Sequence, residues 1–105
     1  MAPVKRLESN APPLRTATLR RLERLSGILA ERGLEASLVA PIGRVPRLQV
    51  AHPAAAGPAA DVYVSRCRDG SWWFWWPWAE RIAAEADLDA AAATIEQALA
   101  QPGDG

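Results

Sequence analysis

Two side chains in this sequence have the chemistry of a nucleophile and its base: Cys67 and His52, the only cysteine and the only histidine among 105 residues. A thiolate activated by an imidazole is an established covalent-catalysis pair. Nothing in the sequence draws the two together, since each lies in a segment of β-type pattern, and both read as structural. A metal centre needs three or four ligands at recognisable spacings, and one His, one Cys and scattered carboxylates offer none. Asp87 and Asp89 look like a carboxylate pair. They stand at the start of a helix-patterned segment, however, where the macrodipole favours acids. Gly27, Gly33, Gly43, Gly57 and Gly70 form no phosphate-cradling loop. The expectation is a protein that is not an enzyme and uses no cofactor and no metal.

A denser signal lies in Trp72-Trp73-Phe74-Trp75-Trp76-Pro77-Trp78, which holds every tryptophan of the chain and its only phenylalanine. Alternate side chains of a strand point to opposite faces. Trp72, Phe74 and Trp76 therefore form one set and Trp73 and Trp75 the other. A sheet aromatic on both faces must be covered twice or must meet a partner, because a large exposed apolar patch marks an interface. Trp73 and Trp75, with Tyr63, are the candidate partner-binding residues. Membrane-surface insertion and stacking of sugars are lesser uses of such rings.

Charge offers a second surface. The formal net charge is zero, but residues 1–32 carry seven basic and three acidic side chains, and residues 80–105 one basic and six acidic. Such asymmetry suggests two helices that attract one another, or two ends with different partners. Arg20, Arg21 and Arg24 cluster on one helix and are the candidate nucleic-acid contact. Zero net charge and an acidic C-terminal segment oppose a broad electrostatic footprint, so nucleic acid ranks second to protein as a partner.

Half of the residues are apolar, and a chain of this length can bury one core without disulfides or metal. A lone cysteine excludes an internal disulfide and suits a reducing compartment. Lys5-Arg6 is followed by no apolar run of the kind a secretory signal carries, and no stretch approaches the length of a membrane span. The expected setting is cytoplasmic, without membrane association.

The elements that must hold these residues are legible from periodicity. Residues 1–11 lack a pattern and read as a flexible arm, followed by one domain over 12–101 and a tail over 102–105. From Pro12-Pro13, Leu19, Leu22, Leu25, Ile28 and Leu29 recur at helical spacing, and Gly33 with Leu34 forms a C-terminal stop. Two β-type runs follow, Glu35–Ala40 and Arg47–His52. Residues 53–60 form a proline- and alanine-rich connection. Strands are expected over Asp61–Cys67 and along the tryptophan run, joined at Asp69-Gly70, a strong hairpin signal.

The register of that hairpin is open. A two-residue turn places Val62 and Val64 with Trp73 and Trp75, and a three-residue turn places them with Trp72, Phe74 and Trp76. The second is preferred because it gathers the valines with the larger aromatic set. Pro77 lacks an N–H for the ladder, so pairing is expected to stop there, with Trp78 folded back over the sheet end. Asp87 caps a last helix over residues 88–101. The expected architecture is α+β: a helix, two antiparallel β-hairpins in a four-stranded sheet, and a C-terminal helix.

The stretch Trp73–Ala83, followed by Asp87-Leu88 and an alanine-rich helix, resembles a group of short uncharacterised actinobacterial proteins of the Streptomyces type. Their pattern also includes a leucine-patterned helix ending in Arg-Gly, here Arg32-Gly33, and a strand of the form Leu48-Gln49-Val50. The resemblance covers roughly residues 14–100. It carries no catalytic role; members are often encoded near helix-turn-helix regulators, which implies a regulatory or adaptor role. The functional expectation is an interaction or adaptor module that meets a second copy, as a possible homodimer, or a regulatory protein. The alternative is a nucleic-acid-associated accessory protein.

Overall fold

The computed structural model describes residues 13–53 and 59–100. The expected arm over residues 1–11, the tail over 102–105 and the centre of the proline-alanine connection lie outside the described residues.

Helix α1 spans Pro13–Glu31. Its leucine stripe is its core face: Leu22, Leu25 and Leu29 are fully buried and Ile28 packs against them. The helix ends in a Schellman arrangement. The Leu34 N–H donates to Leu29 O and the Gly33 N–H to Ala30 O, both at 3.0 Å. Gly33 takes the left-handed conformation this requires (φ 87°), and Leu34 is buried.

Five strands follow: β1 (Glu35–Val39), β2 (Arg47–Ala51), β3 (Ala60–Arg66), β4 (Trp72–Trp75) and β5 (Arg81–Ala84). They form one antiparallel meander in the order β1-β2-β3-β4-β5. Helix α2 (Leu88–Ala100) closes the chain. Asp87 caps it, with Oδ1 accepting from the Ala90 N–H at 3.2 Å.

The α+β class and the flanking helices match the expectation, but the sheet has a fifth strand and continues beyond Pro77. The two turns around β4 explain why. In the β3–β4 turn the Cys67 N–H donates to Ser71 O at 2.7 Å and the Gly70 N–H to Cys67 O at 3.0 Å. In the β4–β5 turn the Trp76 N–H donates to Glu80 O at 2.8 Å and the Ala79 N–H to Trp76 O at 3.0 Å. Both are three-residue loops built on a type I turn whose last residue is left-handed. Pro77 holds the first position of the turn, where its fixed φ is favourable, so it starts a hairpin where the sequence suggested a stop. The third position, glycine in the first loop, is Ala79 in the second, with φ 68°. An alanine there hides the turn from a reader looking for glycine.

That alanine is strained, since a Cβ in the left-handed region costs about 1–2 kcal/mol. Part of this is offset in a glycine variant by the greater freedom of its unfolded chain. Ala79→Gly is therefore expected to raise stability by about 0.5–1 kcal/mol, read as a higher midpoint in urea; an unchanged or lower midpoint refutes the strain.

The first turn also fixes the register. Tyr63 pairs with Trp75, Val64 with Phe74 and Ser65 with Trp73, so the three-residue turn is the one formed. Val62 and Val64 share a face with Trp72, Phe74 and Trp76. The Asp69 carboxylate accepts from Ser71 Oγ at 2.6 Å and from the Ser71 N–H at 3.0 Å. These two hydrogen bonds hold its carboxyl below the ordinary carboxylate range.

Both helices lie on that same face. Leu22, Leu25 and Leu29 of α1, Leu48 and Val50 of β2, Val62 and Val64 of β3, Phe74, and Ala91, Ala92 and Ile95 of α2 belong to one buried cluster. The molecule is thus a two-layer α/β sandwich with its core between helices and sheet. A register shift at Phe74/Trp75 lets Ile82 as well as Ala83 pack on the core.

Ion pairs join the helical layer. Arg21 and Arg24 both reach Glu85, at 3.7 and 3.4 Å, and Arg32 reaches Glu96 at 2.9 Å. The basic first segment and the acidic last one therefore meet each other.

Candidate functional site

The face opposite the helices carries Trp73, Trp75 and Tyr63 side by side. The period-2 alternation of β4 that sends Phe74 inward sends its two neighbours outward. Cross-strand pairing then places Tyr63 beside Trp75, and Ser65 and Ala84 on either side of Trp73. The sequence reading singled out three residues that the structure places on one face.

It missed Arg81. This residue lies opposite Trp75 across the β4–β5 pair, and its guanidinium sits 4.5 Å from the Trp73 ring centre and 5.4 Å from that of Trp75. A cation over the negative face of two indoles is attracted to both. The rings are consequently half-covered rather than bare. The signal that could have located Arg81 was the equal length of Pro77-Trp78-Ala79 and Arg68-Asp69-Gly70.

Hydrogen bonding orients one ring and not the other. Trp73 Nε1 donates to Ser71 Oγ at 3.2 Å, and that hydroxyl donates in turn to Asp69. The Asp69-Gly70 turn therefore sets Trp73 as well as the register. Trp75 Nε1 is buried and has no acceptor among the described residues. Such a group forfeits about 1–3 kcal/mol of solvation. Around the aromatics the face is balanced in charge: Arg47 pairs with Asp61 at 3.4 Å, and Glu35 and Arg81 occupy the edge strands.

The arginines of the alternative reading are placed differently from one another. Arg20 is exposed. Arg21 lies over the Trp72 ring at 4.1 Å, donates to Ala17 O and pairs with Glu85, whose side chain is only 15% exposed. Arg24 pairs with the same carboxylate. Two of the three cations are thus largely neutralised within the fold.

His52 and Cys67 do not meet. His52 follows the end of β2 that pairs with the start of β3, and Cys67 follows the other end of β3. Seven strand residues separate those ends, about 20 Å at the usual rise. Among the described residues no group of three or more His, Cys, Asp or Glu could hold a metal ion, and no helix is long and apolar enough to cross a membrane. No protein-family model, curated protein or solved structure matches the chain.

Proposed function

We propose that this protein is a non-enzymatic interaction module, that the helix-free face around Trp73, Trp75 and Tyr63 is its contact surface, and that a second copy of the chain is its partner. The observation that carries the reading is the placement of both helices on one side, which leaves two indoles and a phenol on the other. The charge balance of that face favours a like surface over a strongly charged one, since an isologous contact sets the same residues against each other. A lone, unbridged Cys67 is compatible with a reducing cytoplasm. An adaptor or regulatory role is what the actinobacterial resemblance implies.

Size limits the strength of the contact. Five strands at about 4.8 Å and some five residues at about 3.3 Å give a footprint on the order of 400 Å² per copy. Stable interfaces bury roughly 800 Å² per partner, so the expected dimer is weak and concentration-dependent. Light scattering after size exclusion, over a series from about 1 to 500 µM, is expected to show a monomer converting to a dimer. Trp73→Ala/Trp75→Ala protein with an unchanged circular dichroism spectrum is expected to stay monomeric. A wild-type monomer throughout the series, or a dimer indifferent to the double substitution, overturns the proposal.

The nucleic-acid reading rests on fewer free charges, because Glu85 engages Arg21 and Arg24.

A further inference from the structure

The helical layer does not cover the whole core side of the sheet. Arg24 lies near Glu85, just before α2, and Arg32 near Glu96, well along it, so the two helices run in the same direction. The first turns of α1, with Arg15 and Thr18, precede that overlap and lie against the β1–β2 loop and the paired ends of β3 and β4. Two cavities of about 400 and about 310 Å³ open there and share Thr18 and Val64. They adjoin at those two residues along one open groove, with Pro46 and Arg44 lining the first cavity, Trp72 and Arg66 the second, and Val64 both.

Among the described residues every charged side chain lining this groove is an arginine: Arg15, Arg44 and Arg66. None is ion-paired to a carboxylate among the described residues, unlike Arg21, Arg24, Arg32 and Arg47. Arg15 donates to the carbonyls of Arg44, Ala40 and Pro41 at 3.1–3.4 Å. Those bonds clamp the β1–β2 loop as one wall and leave the positive charge uncompensated. At the other end Arg21 lies over Trp72. A molecule of zero net charge thus places guanidinium groups without an ion-pair partner among the described residues beside apolar side chains, the setting that suits an anion.

We propose that this groove binds a small organic anion. Its carboxylate or phosphate group is held by Arg44 and Arg66 in the field of Arg15, and its apolar body lies on Val64, Pro46 and Trp72. Guanidinium groups bind both oxyanions through paired N–H donors, and the volume lies in the range of small-ligand sites. The groove is on the helix side, so this inference is independent of the aromatic face and its dimer.

The test is an amide NMR titration with phenyl phosphate, benzoate and the neutral benzyl alcohol, which share one ring. The expected result is saturable shifts at Thr18, Gly43, Ser65 and Arg66 in the low-millimolar range with at least one of the two anions and not with the alcohol. The two anion arms distinguish phosphate from carboxylate recognition. The Arg44→Gln/Arg66→Gln variant is expected to bind at least about tenfold more weakly. Its fold should persist, since neither side chain donates a hydrogen bond or forms an ion pair among the described residues. Absence of saturable shifts with both anions, equal shifts with benzyl alcohol, shifts centred on Arg20 or Arg68, or undiminished binding by the double variant overturns the proposal.

Discussion

Phe74→Ala is expected to destabilise the protein by about 3–5 kcal/mol, a large part of the 5–15 kcal/mol typical of a domain. The ring is fully buried, on the strand that joins the β3 and β5 halves of the sheet, and belongs to the cluster containing both helices. Truncation leaves a cavity bordered by elements from both ends of the chain, which the fold can close only by shifting a helix. With a slope of about 1–3 kcal/mol per molar urea, the midpoint should fall by roughly 2 M. Trp75→Ala, one residue along, removes a larger side chain from the face opposite the helices and outside the core cluster, and its cost should be well below that of Phe74→Ala. Equal losses from the two substitutions would mean that the faces of β4 are not divided as described.

The second large effect is expected at Trp76. This ring is only 8% exposed, and its outer surface is stacked by Trp78, with centroids 5.4 Å apart and planes within 8°. Trp78 is itself 64% exposed and held by Nε1 donating to Glu80 Oε1 at 2.8 Å. Trp76 is thus the buried partner and Trp78 the lid. Trp76→Ala should cost about 3–5 kcal/mol and leave Trp78 without its stack. Trp78→Ala should cost only about 0.5–1.5 kcal/mol, the worth of an aromatic pair. Urea unfolding of the two variants separates the roles; a Trp78→Ala loss as large as that of Trp76→Ala contradicts the lid.

How much of this was legible in the sequence depended on whether the signal was local. The α1 stripe, the Gly33 stop, the Asp87 cap and the Asp69-Gly70 hairpin all depend on residues within a few positions of one another, and all are present in the fold. The strand β5 was not read because its turn carries Ala79 at the left-handed position and because Pro77 suggested an end. The missing strand hid Arg81, and with it the cation that half-covers the candidate face. The clustering of Arg20, Arg21 and Arg24 was visible, but not that Glu85, more than sixty residues away in the chain, takes up two of them. The groove at Arg15, Arg44 and Arg66 was invisible for the same reason: its lining comes from α1, the β1–β2 loop and the β3–β4 hairpin.

By itself the sequence determined the two helices and their stops, the first four strands and the division of the tryptophan run into two sets, because periodicity and capping are properties of neighbouring residues. It did not determine which set is covered. Alternation makes both faces of β4 aromatic, and only non-local packing distinguishes them. Once the three-residue turn had aligned Val62 and Val64 with Trp72, Phe74 and Trp76, both helices could bury their leucine and alanine stripes against that face and against each other. Trp73 and Trp75 were left to Tyr63, Arg81 and whatever meets them from outside.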